Sequence, residues 1–61
     1  MFTVRFWNSS GECIQICGKY HLTFDTYEDA WDAANALVKE AHKQGAVEMD
    51  INNSFYPIIK D

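Results

Sequence analysis

Both cysteines of the sequence, Cys13 and Cys17, fall four positions apart in the stretch CIQIC, and His21 follows four positions later. Cysteine and histidine at short spacing can hold zinc, close a disulfide or pair as nucleophile and base, and each chemistry makes a geometric demand. Ile14 and Ile16 alternate with the thiols as in a β-strand. Strand residues four apart are separated by about 13 Å. A disulfide needs Cα atoms within about 7 Å, and a zinc–thiolate bond is about 2.3 Å. A regular strand therefore excludes a bridge between the two thiols and a metal shared by them. A break at Gly18 would bring Cys17 toward His21 but still leave too few ligands. A Cys/His nucleophilic pair needs a base within about 3 Å and a third group to orient it. His42 falls beside Lys39 and Lys43 at the end of a helical pattern, where positive charge complements the helix dipole. His21 reads as a sheet-surface residue. The sequence thus points to no enzyme, with no catalytic residue, metal ligand or cofactor, and to two reduced thiols on a sheet face.

Asp25, Glu28, Asp29 and Asp32 form the second cluster with chemical potential. Acids at a helix start stabilise the positive end of its dipole, by about 0.3–1 kcal/mol each when exposed. Four of them within eight residues exceed what capping requires, so they are also a candidate acidic docking patch for a basic partner. Their spacing does not match a calcium-binding loop.

Nine acidic residues against five basic ones give a formal charge of −4. The basic residues Arg5, Lys19, Lys39, Lys43 and Lys60 are scattered, whereas phosphate-backbone binding relies on clustered cations. Nucleic acid is a disfavoured partner; a basic protein surface suits the charge better. The first residues, MFTVRFWNSS, carry no signal-peptide pattern, and no stretch approaches the ~20 apolar residues that span a bilayer. A cytoplasmic protein with no membrane partner is expected.

The elements that position these residues follow from periodicity. A chain of 61 residues makes one small domain over 1–61, burying about 60% of the surface its unfolded form exposes. In FTVRFW, Phe2, Val4 and Phe6 alternate with Thr3, Arg5 and Trp7, as in a half-buried strand. Asn8-Ser9-Ser10-Gly11 is a cluster of turn formers. For the phenylalanines to share a face with Ile14 and Ile16, the connection must hold three or five residues, with a bulge at Gly11; a four-residue loop would instead put Cys13 and Cys17 in the core as small hydrophobes. From Glu12 the alternation runs to Phe24, with Ile14, Ile16, Tyr20, Leu22 and Phe24 in one phase. Either a single strand bends at Gly18, or a tight turn at Gly18-Lys19 begins a third strand over Tyr20–Phe24; usual strand lengths favour the turn. The run from Thr26 to Gly45 predicts a helix, with Thr26 as N-cap, Asp29 as its capping-box partner and Gly45 just past the end. Its apolar stripe is Tyr27, Ala30, Trp31, Ala34, Leu37, Val38 and Ala41. Val47, Met49 and Ile51 then point inward and Glu48 and Asp50 outward, and after the turn Asn52-Asn53-Ser54 the run FYPII forms an edge strand. The order is β-β-(β)-α-β-β: an α+β domain in which one helix crosses one face of an antiparallel sheet of four or five short strands.

The segment FDTYEDAWDAANALVKEAHKQGAVEMDI resembles short bacterial and phage domains of unassigned function, in which a hairpin precedes an F-x-T-x-E-x-A helix start and a glycine leads into an outgoing strand. The resemblance implies this fold and supplies no site residues.

One helix covers one sheet face. By parity the other should carry Thr3, Arg5, Trp7, Cys13, Gln15, Cys17, Lys19, His21, Glu48 and Asp50. Arg5, Trp7, Gln15, Lys19 and His21 are the candidate interface, because Trp and Arg are enriched among residues that dominate binding. The expected function is a small non-catalytic protein-binding module of the accessory or inhibitor kind that phages and mobile elements encode. Its partner would be a host protein, or a second copy meeting the open face or an edge strand. The alternative is a nucleic-acid-associated module using Trp7, Arg5 and Lys19. A Cys-dependent enzyme or redox protein ranks third.

Overall fold

The computed structural model describes residues 1–58. Strand β1 (Phe2–Asn8) is the centre of the sheet. Strand β2 (Cys13–Ile14) and strand β3 (Leu22–Phe24) share one of its edges end to end, β2 opposite Phe6 and Trp7, β3 opposite Phe2 to Val4. On its other edge lies β4 (Ala46–Ile51), followed by the outer strand β5 (Ser54–Pro57). All pairings are antiparallel, and helix α1 (Tyr27–Lys43) packs on one face of this five-stranded sheet. The protein is thus of the α+β class read from the sequence. Ile59, the last residue of the run FYPII, lies outside the described residues.

Each of the three turns holds at least one residue in left-handed backbone. The β1–β2 connection is the three-residue loop Ser9-Ser10-Gly11, closed by Asn8 N–H to Glu12 O at 2.9 Å and Gly11 N–H to Asn8 O at 3.0 Å, with Gly11 at φ +79°. The Asn8 side-chain oxygen accepts from the N–H groups of Ser10 and Glu12, a local bond typical of asparagine in turns. An odd loop keeps Phe6 opposite Ile14, so the phenylalanines and isoleucines share the helix-facing side. Between Ile16 and Lys19, which exchange two backbone hydrogen bonds, Cys17 and Gly18 both have positive φ (55° and 77°), as a two-residue type I′ turn requires. The β4–β5 turn, Asn52-Asn53, has the same signature, with φ of 54° and 72°.

The helix begins where Thr26, in extended backbone, accepts a hydrogen bond through Oγ1 from the Asp29 N–H at 3.1 Å. It ends at Gln44, and Gly45, at φ +97°, turns the chain out of the last turn. Ala30, Ala34 and Ala41 are fully buried, so the helix axis approaches the sheet closely. Across the sheet their counterparts are Val4, Phe6, Met49 and Ile51, joined by Ile16 from the β2–β3 excursion. Full burial of a side chain such as Phe6 contributes about 1.5–3 kcal/mol relative to leaving it in water.

Two phase assignments need correcting. Tyr20, expected inside, is 54% exposed, because the chain leaves β1 after Ile14, turns back on itself between Ile16 and Lys19, and rejoins β1 only at Leu22. Val47, also expected inside, is 46% exposed. The register shifts between Trp7 and Asn8, which face Glu48 and Ala46, so Val47 is the extra residue of a β-bulge and Ala46 fills the core instead.

Candidate protein-docking face

The sheet face away from α1 is built in cross-strand rows. Arg5 stands opposite Asp50 on β4, and Asp50 opposite Phe55 on β5. One step along, Cys13, Trp7, Glu48 and Pro57 form the next row, and Thr3 pairs with Thr23. The face therefore carries the residues expected from parity on β1, β2 and β4, together with Phe55 and Pro57, whose phase is set by the two-residue turn before them.

Arg5 and Asp50 organise it. The Arg5 Nε donates to Asp50 Oδ1 at 3.1 Å, and its Nη2 donates to Asp50 Oδ2 at 2.5 Å and to Asn53 Oδ1 at 3.0 Å. Asp50 faces this side as expected but is completely buried, covered by the guanidinium, whose own side chain is 25% exposed. Bidentate pairing of this kind is stronger than a single-point ion pair. The hydrogen bond to Asp50 pushes the Arg5 pKa upward, against a smaller opposing effect of burial. The same guanidinium lies 5.2 Å from the centre of the Trp7 ring, a cation–π contact. Trp7 in turn sits 6.5 Å from Phe55. Trp7 is half-buried, its indole N–H is buried without an acceptor among the described residues, and Phe55 is 52% exposed. The large apolar surface on this face is thus Phe55, with Trp7 as its backing.

His21 joins Thr3, Arg5, Asn52 and Asn53 around a shallow polar concavity of about 280 Å³ at one end of the face. Gln15 and Lys19 are exposed on the β2–β3 excursion, off the paired ladder. Asp25, Glu28, Asp29 and Asp32 are all exposed and lie at the start of α1, in the helix layer, so the structure separates the acidic patch from the Trp7 face. Phe55 was missed by the sequence reading; a two-residue Asn-Asn turn counted from Asp50 would have assigned its side.

Both cysteines are free, Cys13 half-buried and Cys17 exposed. Cys13 Sγ points to the carbonyl oxygen of Tyr20 at 3.5 Å. Among the described residues no three His, Cys, Asp or Glu side chains come together in a metal-binding arrangement. Cys17 occupies a left-handed position, where an L-residue with a Cβ is disfavoured by roughly 1–2 kcal/mol, less for asparagine. Cys17→Asn, which creates the favoured Asn-Gly turn, is expected to raise the urea midpoint modestly, by up to about 1 kcal/mol in stability. Equilibrium unfolding checks this; a clear destabilisation would reveal a role for the thiol.

No helix among the described residues is long and apolar enough to cross a membrane. No protein-family model, curated protein or solved structure matches the chain.

Proposed function

We propose that this chain is a non-catalytic protein-binding module of the accessory or inhibitor kind, acting in the cytosol, which docks through the sheet face centred on Phe55, Trp7 and the Arg5–Asp50 pair. The observation that carries the reading is Phe55, half exposed on a face the helix leaves uncovered, held against Trp7 beside a bidentate ion pair. Aromatic and arginine anchors surrounded by polar residues are the pattern of binding hot spots. Glu48 stands on this face and Glu12 beside it, both exposed, and the chain carries −4 overall. The complementary partner is a different protein with an apolar pocket rimmed by basic residues. Self-association through the outer edge is disfavoured, since Pro57 on β5 has no N–H to offer a new strand. Nucleic acid fits less well. The Arg5 charge is neutralised by buried Asp50, and among the described residues no cluster of cations stands beside Trp7 for phosphate.

The test is quantitative capture from lysate with native protein, Phe55→Ala and Phe55→Arg, each verified as folded by circular dichroism. A discrete partner that native protein retains should be lost at least about ten-fold with either variant and should weaken as salt rises. Equal recovery by all three would overturn the reading. A dimer seen by light scattering and abolished by Phe55→Arg would make the partner a second copy.

A further inference from the structure

A separate groove lies on the other side of the molecule, between α1 and β5. Trp31, Asn35 and Val38 of the helix form one wall, and Met49, Tyr56 and Pro57 form the floor and far side, enclosing about 400 Å³. That volume falls in the range of ligand-binding clefts. From Trp31 and Tyr56 in its lining, an aromatic ladder continues toward the start of α1. Phe2 meets Tyr27 edge-on at 5.8 Å, Tyr27 lies nearly parallel to Trp31 at 6.4 Å, and Trp31 meets Tyr56 edge-on at 5.2 Å. The hydroxyls of Tyr27 and Tyr56 join at 2.9 Å and close the ladder across the groove. That hydrogen bond raises the pKa of Tyr27 above its ordinary value. Tyr27 and Trp31 are 43% and 36% exposed, although both belong to the apolar stripe of α1. The Asn35 amide nitrogen is committed to the Trp31 carbonyl at 2.9 Å. The Trp31 indole N–H has no acceptor among the described residues.

We infer that this groove binds an extended, proline-rich peptide segment of a partner protein carrying a basic residue at one end. The site meets the Phe55 face at the edge residue Pro57, and the inference does not depend on that face. Three features select the ligand. Flat, exposed aromatic faces receive proline rings, and a polyproline II strand, having no internal hydrogen bonds, leaves its carbonyls free for an indole donor such as Trp31. The groove lining itself is uncharged, and the charge lies beside it on the exposed flank of the helix. Glu28 and Asp32, both exposed, follow Tyr27 and Trp31 by one position, and exposed Lys39 lies farther along. An arginine or lysine beside the proline core therefore belongs at the Tyr27 end. A lipid chain would make no use of the neighbouring acids or of an indole donor.

The probe is a synthetic peptide with two Pro-x-x-Pro repeats and an arginine pair at one end, titrated into the whole protein by calorimetry and followed by tryptophan fluorescence. Saturable binding is expected, weakening as salt rises. Trp31→Ala should lower the affinity at least about ten-fold, and the exposed-flank variant Asp32→Lys should lower it several-fold without touching the core. Trp7→Ala, on the opposite face, should leave it unchanged, so failure here and failure of the Phe55 face are read separately. The inference is overturned by absence of saturation, by equal binding of a control peptide with alanine for every proline, or by binding indifferent to both groove variants.

Discussion

Arg5→Met should remove about 3–5 kcal/mol of stability and leave the domain largely unfolded at 25 °C. Breaking a buried ion pair from one side strands the other charge, which typically loses that much. Asp50 is completely buried, and Arg5 supplies both bonds that its carboxylate accepts from side chains among the described residues. A single core in a domain of this length rarely provides more than about 3–5 kcal/mol in total, so the loss matches the whole reserve. The double variant Arg5→Met/Asp50→Leu should recover most of it, because replacing both partners by apolar groups of similar volume is often neutral or stabilising. Urea unfolding followed by circular dichroism distinguishes the two. Should the single variant fall within about 1 kcal/mol of native protein, water must reach Asp50 readily and the pair is not the anchor described above.

Phe6→Ala carries a comparable expected loss, about 3–5 kcal/mol, through a different mechanism. Phe6 is 1% exposed and lies at the middle of the central strand, paired with Ile14 on one side and Met49 on the other and facing the buried alanines of α1. Removing its ring leaves a void that backbone held on both flanks cannot collapse to fill. Phe55→Ala, a change of the same residue type on the opposite face, should shift stability by no more than about 0.5 kcal/mol, as is usual for exposed positions. The pair, measured in one denaturation series, separates core from docking surface. Similar losses at the two positions would mean that Phe55 is structural and would remove the main support for the docking face.

The helix was legible almost to the residue, because Thr26 and Gly45 mark its ends chemically and the alanines mark its buried face. The side of the sheet on which Trp7 and Arg5 stand was legible only conditionally: a four-residue loop Asn8-Ser9-Ser10-Gly11 would have turned the cysteines into the core, and it is the three-residue loop ending at Gly11 that decides for the other side. Val47 was not legible. A bulge inserts one residue without changing the local composition, so strict alternation puts every position before it on the wrong side. Tyr20 failed for a related reason: the seven residues between Ile14 and Leu22 leave and rejoin the ladder in phase, so parity survives while pairing does not. The depth of Asp50 depends on the length of its cross-strand partner, which covers it, and alternation carries no information on cover. The aromatic ladder was visible only in part, as the exposed end of an apolar stripe, since its other member, Tyr56, comes from a strand far along the chain.

The central position of β1 also decides the order in which this chain can become organised. Its partners on one edge are within the first two dozen residues, but those on the other edge, Ala46 to Ile51, are about forty residues away and α1 intervenes. The N-terminal hairpin can form early, yet its inner edge stays open until β4 arrives. During synthesis the chain therefore passes through a stage in which its central strand is half clothed, and that interval is when sticking to neighbours is most dangerous.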